Sequence, residues 1–517
     1  MSLLIAIDKK SKTPIFRQII DRIIERIDSD AVKPGASLPS TRSMADSLAV
    51  NRSTVYRAYQ ELWSLGYLES RPGAYTTVRK RVHVASERTD RGSGLIAWSE
   101  KIASGGEVIH EAYSKQEALN RKSVSKDVIN FIPLSPDNRL FPAEAFRKCM
   151  NEALAREGAE LLQYGSPMGY EPLKKFIAGR MREHSVSLSN DEIMITAGAQ
   201  NAIELLVRSF AGPESSIIIE APTYSKAIDI LRLSSSKIIE VPMSAEGMDL
   251  DVLERIVGRT SPAMIYSIPN FHNPTGITTD QNHRERLLKI CEHFRIPLVE
   301  DGFEEEMKYF GKAVLPVKSM DLRKVVIYVG TFSKILFPGL RIGWIAADKE
   351  CIDRLVAIQQ ASIISGSLLS QSALYRFCRS GHYDAHIRRM HRVYRKRMLA
   401  VLKALKTNMQ NEHIEWTEPS GGYALWVRLK ELAIEEDELM DFLIDRGVAV
   451  MPGSSSFYGP PNGIYFRLSI AHLDEWAIDE GIARLGKSLN DLYEKKACAG
   501  NWMGQSHQPP HCRTGGS

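Results

Sequence analysis

The 517-residue sequence predicts two unlike parts. A mainly α, winged helix-turn-helix domain comes first, followed by a large α/β domain with a mostly parallel central sheet and a small C-terminal α+β part. Three observations support this. Apolar residues in the first eighty positions recur at helical spacing in three short segments. From Val128 onward, apolar strand-like runs alternate with helical stretches, the pattern of repeated strand-helix-strand units. Basic charge gathers at the start: residues 1–82 hold 14 Lys or Arg against 8 Asp or Glu, although the whole chain is only +5.

The length suggests two or three domains, and 44% hydrophobic with 25% charged residues is the balance of a globular protein with a large core. No run of about 18 apolar residues is present, and the apolar patch in MSLLIAIDKKSK is too short and too soon charged for a signal peptide. The expected location is the cytoplasm. The six cysteines are scattered without paired spacing, which suggests neither a disulfide framework nor a zinc site.

The first helix is predicted over PIFRQIIDRIIERI, with Ile15, Phe16, Ile19, Ile20, Ile23, Ile24 and Ile27 on one stripe and charged residues opposite. Pro34 and Gly35 stop it. Ser40 caps a second helix, TRSMADSLAV, whose inner face is Met44, Ala45 and Leu48. A third, NRSTVYRAYQELWSLG, starts near Asn51 and stops at Gly66. Two short helices with a tight connection make a helix-turn-helix, and the third helix is its recognition element. Arg52, Ser53, Thr54 and Arg57 lie on the face away from Val55, Ala58, Tyr59 and Leu62, where they suit base edges and phosphates. YLESRPGAYTTV then reads as two short strands around Arg71, a wing.

The strings from Pro14 to Ile19, Pro34 to Arg42 and Arg52 to Tyr59 resemble the GntR family of winged helix-turn-helix domains. The resemblance implies double-stranded DNA as partner, with Arg42, Arg52, Ser53, Thr54, Arg57 and Arg71 as the DNA-facing residues of a domain spanning residues 1–78. The wing, Arg71-Pro72-Gly73-Ala74-Tyr75-Thr76, departs from the family's usual Gly-x-Gly-Thr tip, so the helix is the firmer contact.

Residues 79–127 are polar and weakly periodic, and read as a linker with one docking helix near Trp98 to Ile102. Its length would allow domains to swap between chains. The large domain, 128–494, is marked by the strand-like runs IMIT, SIIIE, MIYSIP, PLVED, VVIYVG and GWIAA, with a smaller α+β part from about 395 ending in YFRLSI. Residues 495–517 read as a disordered tail.

Within GTFSKILFPGLRIGW, Lys334 stands among small, hydroxyl-bearing and apolar residues, with Arg341 seven positions on. Apolar surroundings and nearby positive charge favour a neutral, reactive amine. Thr331, Ser333 and Arg341 could hold a phosphate. An aldehyde and a phosphate on one small molecule describe pyridoxal 5′-phosphate (PLP). Gly198, Ala199 and Gln200 open a helix after a strand, where backbone N–H groups can also bind phosphate. Asp301 ends a strand and could pair with the pyridinium nitrogen. Asn273 could donate to the ring's 3-oxygen, and Tyr224 could stack on the ring. Taken singly, each is also what an ordinary turn or strand end contains.

In this order, with Arg467 following in FRLSIA, the parts resemble fold-type I PLP enzymes of the aspartate aminotransferase family. The resemblance implies PLP as cofactor, with Lys334 forming the internal aldimine and Arg467 binding the effector's carboxylate. It also implies that Tyr164 reaches the phosphate of a neighbouring subunit in a homodimer. The whole chain resembles the MocR/GabR-type regulators. Three departures fall on the effector side: Phe303 where that family has a tyrosine contacting the ring oxygen, Leu134 where a glycine would leave room, and Lys226 where some members place an arginine on the effector. The expected function is a PLP-dependent transcriptional regulator sensing PLP or an amine or amino acid. The alternative is a working aminotransferase with an accessory DNA-binding domain.

Overall fold

The computed structural model describes residues 5–69, 75–79, 96–312 and 314–503, with side chains up to 494. The chain divides into two compact units, Met1–Trp98 and Ser99–Ser517.

The first unit contains helices Ile15–Asp28, Thr41–Leu48 and Arg52–Ser64, followed by an antiparallel pair of strands, Leu68–Glu69 and Thr77–Val78. The isoleucine stripe explains the first helix: Ile19, Ile20, Ile23 and Ile27 are buried against Met44, Val55, Ala58 and Leu62 in a separate core. Each isoleucine buried contributes about 1.5–3 kcal/mol, so the stripe alone outweighs what caps and surface pairs supply. Ser40 caps the second helix by accepting from Ser43 N, and Asn51 caps the third by accepting from Ser53 N. Arg71 lies outside the described residues, as do Pro72, Gly73 and Ala74.

The second unit is built on an eight-stranded sheet. Its strands lie in the order Ile193–Thr196, Gly343–Ala346, Val326–Thr331, Leu298–Asp301, Met264–Ser267, Ser216–Ala221, Lys237–Ser244, Gly247–Met248. The six runs read from the sequence are all here. Lys237–Ser244 was not among them, because its KIIEVPMS pattern is only half apolar and its burial is correspondingly partial. The five strands from Val326–Thr331 to Lys237–Ser244 are mutually parallel, while Gly343–Ala346 runs antiparallel to both its neighbours. Continuous apolar composition follows from burial on both faces. Such a sheet gathers its ligand-binding loops at the carboxyl ends of the strands.

The smaller part holds a four-stranded antiparallel sheet, ordered Ile414–Trp416, Ala424–Leu429, Ile464–Ser469, Met451–Pro452. Helices His382–Asn408 and Glu475–Met503 pack together beside it. The second of these runs past residue 494, into the segment whose composition reads as a tail; residues 504–517 lie outside the described residues.

The segment read as a linker is also more structured than its composition suggests. Trp98–Lys101 is helical, and a longer helix, Ser104–Lys122, follows within the second unit. Two glycines in its first turn and an inner face that is only half-buried, with Ile109, Ala112 and Leu119 toward the protein, make its apolar stripe thin. The glycines have a packing reason: a Cβ on Gly105 would stand 2.3 Å from the Arg232 carbonyl oxygen. Among the described residues, no helix is long and apolar enough to cross a membrane.

Candidate PLP site and DNA-facing helix

Five strand ends of the large sheet converge on one cavity of about 120 Å³. Gly198 follows Ile193–Thr196, Tyr224 follows Ser216–Ala221, Asn273 follows Met264–Ser267, Asp301 ends its own strand, and Lys334 follows Val326–Thr331. Ala199, Gln200, Tyr224, Asn273, Asp301, Thr331, Ser333, Lys334 and Arg341 all line it, together with Phe303. Residues spread over more than 140 positions of sequence are thereby brought to one place.

Asp301 is fully buried, and its Oδ2 accepts from the Tyr266 hydroxyl at 2.7 Å. Its Oδ1 has no partner. Burial pushes the carboxyl up to about 6, against the Tyr266 hydroxyl, the Phe303 backbone N–H and the charge of Lys334. A buried, half-satisfied carboxylate is costly unless a donor meets it, and the N–H of a protonated pyridine ring is such a donor.

A second group of residues suits a phosphate. Ser333 Oγ is buried without a partner. Thr331 Oγ1 accepts from Ser333 N at 3.1 Å and so shapes the turn. Gly198, at φ 89°, caps helix Ala199–Phe210 and leaves room for Arg341, whose Nη2 would be 2.9 Å from a Cβ there. The helix N-terminus, the guanidinium and the hydroxyls make an anion site.

Lys334 lines the same cavity, half-buried, its Nζ donating to the Leu134 carbonyl at 3.3 Å. Burial lowers its pKa; Glu304 and Asp301 oppose the shift, and Arg467 and Arg341 add to it. The lysine is thus biased toward the amine, the form that condenses with an aldehyde. The residues present fit PLP in charge and in hydrogen-bonding capacity.

Arg467 borders the site from the smaller part. Its Nη1 donates to Asn273 Oδ1 at 3.1 Å and its Nη2 to the Ile132 carbonyl at 2.7 Å, while Nε has no partner. Burial brings it down to about 10. With Oδ1 occupied, Asn273 has only its amide N–H groups to offer a ring oxygen.

Two expected residues stand apart. Lys226 is exposed and its Nζ donates to Asp229 Oδ2 at 2.8 Å; only its backbone carbonyl touches the site, accepting from Gln200 Nε2 at 2.9 Å. Tyr164 is 80% exposed and outside the cavity. Three residues escaped the sequence reading: Tyr266, Glu304 and Tyr423. Tyr266 reads as one more strand aromatic, Glu304 as part of a solvated acidic run, and Tyr423 follows a glycine pair with no motif around it.

In the first unit, Arg42, Arg52, Ser53 and Arg57 are exposed and Thr54 is half-buried. Arg52 Nε donates to Thr41 Oγ1 at 3.4 Å, a weak tether that leaves its Nη groups outward. Ser53 Oγ donates to Asn51 Oδ1 at 2.8 Å, so it serves the cap as well as the outer face. The Arg57 guanidinium lies 4.0 Å from the centroid of the Phe16 ring, which orients it on the helix flank.

Residues 131–485 match the family described as aminotransferase class I and II. Residues 16–78 match the family described as bacterial regulatory proteins, gntR family. The chain is 28% identical over 484 residues to the uncharacterized HTH-type transcriptional regulator YdfD of Bacillus subtilis, covering 94% of this chain and 98% of that protein. It is 29% identical over 483 residues to the probable rhizopine catabolism regulatory protein MocR of Rhizobium meliloti, covering 93% and 95%. Among solved structures it resembles LysN, an alpha-aminoadipate aminotransferase of Thermus thermophilus complexed with N-(5′-phosphopyridoxyl)-L-leucine. That likeness has a TM-score of 0.70 at 31% identity and covers 77% of this chain and 100% of the other.

Proposed function

Because the chain belongs to the aminotransferase class I and II family and carries a GntR-family domain, the arrangement of MocR-type regulators, we propose that it regulates transcription through a PLP-dependent sensor. An amine or amino acid, or PLP itself, acts at Lys334 and changes how the N-terminal unit binds DNA. PLP, when bound, supplies an aldehyde for an amine and a ring that withdraws electrons once its nitrogen is protonated. Asp301 holds that nitrogen's proton in place, Ser333 and Arg341 bind phosphate, and Arg467 attracts a carboxylate. The observation that carries the reading is one chain holding both a helix with exposed Arg52 and Arg57 and a cavity with an unpaired Asp301 oxygen beside a half-buried lysine.

Coupling requires that the ligand favour one DNA-binding state over another. The half-sites of a GntR-type operator suit a homodimer, and exposed Tyr164 is available for a second copy of this chain. The test begins by selecting duplexes from a random pool with the full-length protein. Affinity for the selected duplex is then measured with and without PLP and a panel of amines and amino acids. The expected result is a ligand-dependent affinity in wild type and none in Lys334→Ala, which also loses the visible absorbance of lysine-bound PLP. DNA affinity indifferent to PLP and to every amine would sink the sensor reading.

The likeness to LysN keeps a second reading in view, a working aminotransferase with an accessory DNA-binding domain. Phe303 and Leu134 weigh against it. Phe303 lines the cavity with no hydroxyl to offer, and buried Leu134, whose carbonyl accepts from Lys334 Nζ, stands where a glycine would leave room. Multiple-turnover assays over amino and keto acid pairs decide between the two, since fold alone does not establish turnover.

A further inference from the structure

Helix His382–Asn408 carries a charge pattern that neither the cofactor site nor the DNA-facing helix uses. From Ala385 to Asn411 the sequence holds eight Lys or Arg and no Asp or Glu. Three of the eight have partners. Arg397 is buried on Asp137, Arg389 donates to the Leu140 carbonyl at 3.4 Å, and Lys406, in the last turn, pairs with Glu418. The other five, Arg388, Arg392, Arg395, Lys396 and Lys403, are exposed. At about 3.6 residues per turn they share one face, a stripe about 22 Å long. Arg395 lies over the Phe310 ring, 5.6 Å from its centroid, and the remaining four have no ion pair or side-chain hydrogen bond among the described residues.

Other exposed helical cations of this unit are matched. Lys349 with Asp353, Arg354 with Glu350 and Arg156 with Glu152 each pair one turn apart, the spacing at which opposite charges strengthen a helix. Arg388, Arg392 and Lys396 stand at that same spacing with like charges, which weakens one. Burial of Tyr383, Met390, Tyr394 and Met398 on the other face holds the helix in spite of it. Stability therefore gives no reason for the stripe, whereas a polyanion that neutralises it does.

Duplex DNA fits this face better than a membrane does. A helix that lies on a membrane buries apolar side chains beside its cations, and Leu399 is the one large apolar side chain exposed along this helix. A duplex asks only for cations. It presents one negative charge per about 1.7 Å of axis, so a stretch as long as the stripe offers more phosphates than the stripe has side chains. We propose that this face of helix His382–Asn408 is a second contact for the duplex that the N-terminal unit reads, binding phosphates without reading sequence. The inference rests on the reading of the chain as a DNA-binding regulator.

The experiment measures the affinity of full-length protein for its selected duplex, extended by flanking DNA on both sides, over a series of salt concentrations. Wild type is compared with the triple variant Arg388→Gln, Arg392→Gln, Lys396→Gln. A control variant, Arg255→Gln, Arg259→Gln, Lys289→Gln, removes the same charge from exposed positions elsewhere in the unit. Each phosphate contact contributes about 0.9 to the slope of log affinity against log salt, so the triple variant flattens the slope by up to about 2.7. The control keeps the wild-type slope. A flattening smaller than one contact's share, about 0.9, or one that the control matches, overturns the inference. In that event, phosphatidylserine vesicles that sediment wild type but not the triple variant would identify a membrane surface instead. Wild type that binds no duplex overturns the regulator reading, a separate result. Should the triple variant not fold, Arg392→Gln alone serves: a slope flattened by about 0.9 supports the proposal, and an unchanged slope refutes it.

Discussion

Asp301→Asn isolates the carboxylate's charge while sparing its shape. In wild type, Oδ2 takes the Tyr266 hydroxyl and Oδ1 is left for the ring nitrogen. The asparagine keeps an oxygen for Tyr266 and turns an NH₂ toward the ring, so a charge-assisted hydrogen bond to the pyridinium is lost. Such bonds are worth about 1.5–3 kcal/mol, which weakens PLP binding roughly ten- to a hundredfold. Spectrophotometric titration of cofactor-free protein with PLP measures it. Stability should move the other way. Because burial raises Asp301 to about 6, above its value in the unfolded chain, the cofactor-free wild type loses stability as pH rises through that window. The loss is at most about 3 kcal/mol, and the asparagine variant does not suffer it. Without PLP, Asp301→Asn should therefore melt no lower than wild type near neutral pH, and relatively higher there than at about pH 4. PLP affinity within about twofold of wild type, or a cofactor-free variant that melts well below wild type near neutrality, would refute the assignment of Oδ1 to the ring nitrogen.

Two further outcomes follow from the same geometry. Arg52→Ala should weaken binding to the selected duplex by about 1–3 kcal/mol and relax preference at one base position, read by fluorescence anisotropy on single-base variants. Arg397→Met removes the Nη2 donor that lies 2.7 Å from buried Asp137, leaving exposed Arg139 as its remaining guanidinium. The cost should be about 3 kcal/mol in urea unfolding, at the lower end for a broken buried pair because Arg139 stays.

The order of parts along the chain was legible because each carries its own local signal. The isoleucine stripe, the Ser40 and Asn51 caps and the apolar strand runs state their conformation within a few turns of sequence, and the structure has them in those places. Helix Ser104–Lys122 was not legible. Its inner face is only half-buried, through Ile109, Ala112 and Leu119, and approaches Arg232 across Gly105, so the stripe is too thin and too polar to stand out in the sequence. Lys226 was named through the family resemblance, where some members place an arginine on the effector, and in the structure its amine pairs with Asp229 one helical turn away.

The sequence by itself determined which chemistries are available: a lysine among hydroxyls, a strand-end aspartate, a late arginine, and a basic helix at the other end of the chain. Tertiary structure decided which of them meet. Parallel strands deliver their carboxyl ends to one edge, so Ala199, Tyr224, Asn273, Asp301 and Lys334 share a cavity regardless of their separation in sequence. It also decided the charge state of what meets there. Burial is a property of the packed chain, and burial is the main cause that lowers Lys334 and raises Asp301.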